Sequence, residues 1–148
     1  MIPAERRLAA LLMTLLLALS AFPLALADEE APRFTDVPAG AYYEEAVKWC
    51  AEKGITSGKT AEIFAPDETC TRAQIVTFLY RAAGAPMPTS EITFTDVAPD
   101  AYYYDALRWA VEQGIANGFS PERFYASATV KRAQVAAFLW RASLSQNG

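Results

Sequence analysis

The chain has 148 residues, a net charge of -4, 53% hydrophobic residues, two cysteines and no histidine. Without histidine there is no Ser-His-Asp or Cys-His nucleophile system, no imidazole base and no His metal ligand, and two cysteines are too few for a Cys/His zinc site. A sequence pI near 4.8 also argues against a basic nucleic-acid footprint.

Residues 1–27 differ from the rest. Arg6 and Arg7 form a positive head, Leu8 to Leu19 is rich in Leu and Ala, Pro23 breaks the stretch, and Ala25-Leu26-Ala27 is a small-x-small ending. This is the layout of a cleaved secretory signal peptide. The competing reading is an uncleaved anchor, because Leu8 to Leu26 covers 19 residues, near the lower limit for crossing a bilayer. Pro23 and the Ala-x-Ala ending favour cleavage. An exported product of 121 residues and net charge -5 is then expected, with no membrane span left.

The rest is a duplication. Phe34-Thr35-Asp36-Val37 returns at Phe94-Thr95-Asp96-Val97, Trp49 at Trp109, Gly54-Ile55 at Gly114-Ile115, and Arg72-Ala73-Gln74 at Arg132-Ala133-Gln134. The shift is always 60, and 23 of the 50 positions in 34–83 match 94–143. The chain therefore divides into a signal peptide (1–27), a first repeat (33–83), a Pro-rich linker (84–92), a second repeat (93–143) and a tail (144–148). Pro86 and Pro88 make the linker stiff.

Each repeat reads as helix, loop, helix. In the first, Tyr43, Ala46, Val47 and Cys50 share a helical face with Trp49 beside it, and Gly54-Ile55 has the form of a Schellman ending. A loop of about 15 residues follows, with Phe64 as its core anchor. The second helix opens at Thr71-Arg72-Ala73-Gln74, where Thr71 and Gln74 form a capping box. Its apolar face carries Ile75, Phe78, Leu79 and Ala82. The fold class is all-α. A unit of about 50 residues covers little of its own apolar surface, so the repeats should pack on one another. Trp49, Trp109, Tyr42 and Tyr102 are the candidates for burial between them.

Phe-Thr-Asp-Val, Trp, Gly-Ile, Gly, Phe and Thr-Arg-Ala-Gln, in this order and twice over, resemble the S-layer homology repeat. That resemblance implies a non-catalytic module, without cofactor or metal, exported to the bacterial cell wall and cell surface. It implies binding to anionic, often pyruvylated, secondary cell-wall polysaccharide or another peptidoglycan-linked polymer. The family fold it implies is a spindle of three repeats with ligand grooves between neighbours, and this chain has two. The family signature is Thr-Arg-Ala-Glu, whose Arg contacts the acidic sugar. Gln74 and Gln134 stand at the Glu position, which keeps the capping role and drops the charge. Lys131 stands at the Thr position, which removes an N-cap hydroxyl and adds a cation beside Arg132.

On this basis Arg72 and Arg132 are the leading carbohydrate-binding candidates. Each is at a helix start, where backbone amides favour anions, and each is expected to be exposed and replaceable at little cost in stability. Thr71, Gln74, Lys131, Gln134, Gly58, Gly118, Trp49 and Trp109 complete the candidate set. Arg81 and Arg141 are read as partners of helix C-termini. Asp36 and Asp96 are read as turn or N-cap residues ahead of the first helix of each repeat. Cys50 and Cys70 fit a bridge or two free buried thiols equally well, because Ala110 and Val130 replace them in the duplicate. The alternative function is a structural adaptor, with two repeats pairing with a second copy or with other repeat-bearing surface proteins. A carboxylate enzyme needs two acids facing one another across a cleft, and no such pair is signposted.

Overall fold

The computed structural model describes residues 34–145, so the signal-peptide reading lies outside the described residues. Four helices carry the fold: α1 (Glu44–Glu52), α2 (Arg72–Ala82), α3 (Tyr104–Glu112) and α4 (Arg132–Ser145). Among the described residues there is no strand, only the isolated antiparallel bridges Thr71–Thr129 and Ser120–Arg123. No described helix is long and apolar enough to cross a membrane. α4 runs through Ser145, past the end expected at residue 143, because Ala142, Ser143 and Leu144 do nothing to stop a helix.

The expected stops and starts are present. Gly54 and Gly114 both have φ of 66°, and the Ile55 and Ile115 amides reach back to the Cys50 and Ala110 carbonyls at 2.8 Å. At α2, Thr71 accepts from the Gln74 amide at 3.2 Å while Gln74 accepts from the Thr71 amide at 2.8 Å. α4 keeps half of this box: Gln134 accepts from the Lys131 amide at 2.8 Å, while lysine has no side-chain oxygen to return and the Gln134 amide donates to the Lys131 carbonyl at 2.9 Å instead.

Each interhelical loop is pinned by the aspartate that opens its repeat. Asp36 accepts from the Phe64 and Ala65 amides at 2.8 and 2.7 Å. Asp96 accepts from the Phe124 and Tyr125 amides at 2.9 and 2.8 Å. Their role is structural, as read, but neither caps a first helix: Tyr43 and Tyr103 occupy the cap positions of α1 and α3 without side-chain bonds. The carboxylates instead hold Ala65 and Tyr125 at φ of 61° and 55°, a left-handed conformation that costs a residue with a Cβ some stability.

The core lies between the repeats. Val76 of α2 joins Ala106, Leu107, Trp109 and Ala110 of α3, Ile115, Phe124 of the second loop and Phe138 of α4. The Tyr80 ring meets the Trp109 ring at 5.7 Å. Backbone bonds reinforce the joint: the Arg72 and Ala73 amides donate to the Ala128 and Ala126 carbonyls, and the Val130 amide donates to Cys70. The linker is strapped onto α3. Thr89 bonds Glu112 through its amide and hydroxyl, Arg108 donates to the Ser90 carbonyl and pairs with Glu91 at 3.0 Å, and Pro88 is buried.

The four aromatics expected between repeats separate. Trp109 is 5% exposed, whereas Trp49 is 52%, Tyr102 68% and Tyr42 98% exposed. For the two tryptophans the cause is position: α3 has α2 against its outer face, and no described element covers the same face of α1; Tyr102, just ahead of α3, stays exposed although its helix is covered.

Candidate functional site

Two grooves occupy corresponding places, one per repeat. The second-repeat groove, about 320 Å³, lies between the loop residues Asn117, Gly118 and Phe119 and the α4 residues Gln134, Phe138 and Arg141, with Arg72 entering from the first repeat. The first-repeat groove, about 630 Å³, has Ser57, Gly58, Lys59, Gln74, Phe78 and Arg81 as counterparts; Phe64 also lines it, and Tyr102 of the second repeat borders it.

Arg72 is only 7% exposed, against the expectation of a surface residue. Its guanidinium donates from Nε to the Phe124 carbonyl at 2.9 Å and from Nη2 to the Asn117 carbonyl at 2.8 Å. It also lies over the Phe124 ring, 4.6 Å from the centroid, and 5.9 Å from the Phe138 centroid. Helix α2 is docked on the second repeat, so the first residue of the helix points into a neighbour rather than into water. Arg72 is therefore part of the joint as well as a wall of the groove. Burial lowers its pKa, yet a guanidinium stays charged in protein. Its polar partners are neutral carbonyls; no described carboxylate forms an ion pair with it. A buried cation without a counter-charge is an unusual expense.

Arg132 and Lys131 are exposed at the start of α4, as anticipated for the former. Arg141 and Arg81 donate to the Ile115 and Ile55 carbonyls at 3.3 Å. They tie the second helix of each repeat to the end of the first, a partner the reading as helix C-terminal charges did not name, and each lines its groove. Gly58 and Gly118 line the grooves for want of room: a Cβ would lie 2.3 Å from the Phe34 ring at Gly58 and 2.2 Å from the Ser120 carbonyl at Gly118. Trp109 is buried in the core, out of reach of a sugar, and Trp49 lies on the open face of α1. The grooves bring together Arg72, Gly118 and Gln134 in the second repeat, and Gly58 and Gln74 in the first; Thr71 is engaged in its capping box. The sequence reading missed Asn117, Phe119 and Phe138 as groove residues, for which the repeated loop after Gly-Ile was the available signal.

Cys50 and Cys70 are free thiols, both half-buried, with burial raising each pKa. Cys70 borders the first-repeat groove and Cys50 sits on the α1 face that no described element covers.

The family model of the S-layer homology domain matches residues 33–76 and 93–136. The chain is 33% identical over 98 residues to a surface-layer 125 kDa protein of Lysinibacillus sphaericus, covering 66% of this chain and 8% of that protein. It is 32% identical over 142 residues to a cell surface protein of Thermoanaerobacter kivui, covering 93% and 18%. A middle cell wall protein of Brevibacillus brevis is 30% identical over 130 residues, covering 85% and 12%. The chain thus spans less than a fifth of the length of these relatives. With both repeats matched by the family model and relatives at the cell surface, the chain belongs to the S-layer homology domain family and is a protein of the cell surface.

Proposed function

We propose that the chain is a non-catalytic anchoring module that binds an anionic, pyruvylated secondary cell-wall polysaccharide in the groove between its repeats. The observation that carries this reading is Arg72: a buried guanidinium that lines an open groove and has no described carboxylate partner. A ligand carboxylate entering beside Arg72 and Arg141 would supply the missing charge, and low local dielectric would strengthen the pair. The half-exposed Gln134 and the exposed Phe119 at the rim offer a hydrogen-bonding amide and an aromatic surface for sugar. Lys131 and Arg132 add exposed positive charge at the start of α4. The names of the relatives, a cell wall protein among them, support a wall ligand.

The test is co-sedimentation with purified walls, with and without their acidic polymer. Binding should require the polymer and weaken as salt rises, because the exposed charges are screened. Arg141→Gln should reduce binding about tenfold, the loss of one charge-assisted contact, while circular dichroism stays that of the parent. Equal binding to stripped walls would overturn the polymer reading.

A further inference from the structure

We propose that the outer face of α4 docks on the α1 face of a second copy of this chain, repeating between molecules the joint that α2 and α3 form within one.

The duplication supplies the template. In the internal joint, Arg72, Ala73 and Val76 of α2 are buried, as are Ala106, Trp109 and Ala110 of α3. Sixty residues on, the counterparts of the first set are Arg132, Ala133 and Ala136, all exposed on α4. Sixty residues back, the counterparts of the second set are Ala46, Trp49 and Cys50; the first two are exposed and Cys50 is half-buried. Each molecule thus presents, uncovered, both halves of a joint whose complete form it already contains. The two halves are complementary, because they derive from the two sides of one interface. Leu139 and Trp140, 55% and 63% exposed, extend the α4 face as Leu79 and Tyr80 extend that of α2. A second copy is the occupant because it carries both halves, with the same apolar character and the same backbone donors.

The internal joint specifies the contacts between molecules. The Arg132 guanidinium would reach the Ser57 and Phe64 carbonyls of the second copy, as Arg72 reaches Asn117 and Phe124. Trp140 would meet Trp49 as Tyr80 meets Trp109. Phe64 is half-buried where Phe124, under Arg72, is fully buried, so an arginine has a ring left to cover. The joint also completes both grooves. Arg132 would enter the first-repeat groove of the second copy, and Tyr42 of that copy would border the second-repeat groove of the first, as Tyr102 borders its neighbour. The polymer role of these completed grooves rests on the function proposed above; the joint does not.

The contact is head-to-tail, so it propagates unless its rotation closes a ring. Protein recovered from the medium of an exporting host should sediment at micromolar concentration as a dimer or larger assembly. Ala136→Glu places a carboxylate where Val76 is fully buried in the template, and Ala46→Glu does the same to the opposite face. Each variant alone should be a folded monomer, since both sites are exposed in the single chain. Mixed together, they should form a one-to-one complex, because one keeps an intact α1 face and the other an intact α4 face. A monomeric parent protein, assembly that persists in Ala136→Glu, or a mixture that stays monomeric would each overturn the joint. Wall binding by the Ala136→Glu monomer, whose Arg72 groove is intact, reports separately on the polymer reading.

Discussion

Asp36 and Asp96 each join the opening of a repeat to a loop nearly thirty residues later through two amide donors. The Phe64 amide is the main cause of the lowered Asp36 pKa, opposed by partial burial. At Asp96 burial works upward, and the Phe124 and Tyr125 amides outweigh it. Both folded pKa values lie below the unfolded value near 3.9, so the stabilisation is fully present above that pH and is lost as pH falls through the folded values. Thermal unfolding followed by circular dichroism should show a Tm that is flat near neutrality and drops below about pH 4, less steeply in Asp96→Asn. Asp96→Ala strands the amide of the fully buried Phe124 and should cost about 1 to 2 kcal/mol in urea unfolding. Arg72 is the residue whose importance was visible and whose placement was not. Its spacing marked it in both repeats, yet nothing local to Thr71-Arg72-Ala73-Gln74 distinguishes it from Arg132. Burial of one and exposure of the other come from the neighbour that α2 has and α4 lacks. Because it bridges two carbonyls and two rings, Arg72→Ala should lower stability by about 3 kcal/mol, against little change for Arg132→Ala in the monomeric Ala46→Glu background.

At the level of elements, caps and stops were legible because they are local. Gly54-Ile55 and Thr71-Gln74 act through hydrogen bonds spanning a few residues, so spacing alone identifies them. The long-range Asp clamps were not legible, since an aspartate before a helix looks the same whether it caps that helix or a distant loop. The half-built cap of α4 gives a direct test. Lys131→Thr restores the side-chain acceptor for the Gln134 amide and should stabilise the protein by about 1 kcal/mol, measured as a higher urea midpoint with unchanged m-value. The groove loops are less forgiving. A methyl at Gly118 would meet the backbone of Ser120, which has no flexible end to swing aside, so Gly118→Ala should destabilise by about 2 kcal/mol and distort the groove beside Arg72.

For the whole molecule, the duplication foretold two similar units and a shared core, and the described chain has both. What it left open was which copy of each duplicated face is covered, because equal sequences occupy unequal surroundings. Export belongs to this scale as well: mass spectrometry of the secreted product should find Asp28 at its N-terminus, and a membrane-bound product retaining Met1 would contradict it.

The inner pair α2 and α3 is enclosed on faces that α1 and α4 leave open, although the sequences of the pairs are related. In the monomeric Ala136→Glu variant, native-state hydrogen exchange should therefore be ordered by position rather than by composition. Amides of α2 and α3 should open only with global unfolding, while those of α1 and α4 should fray through smaller excursions. Two stretches with nearly the same side chains would then keep time at different rates, and the difference would measure what a neighbour adds to a helix.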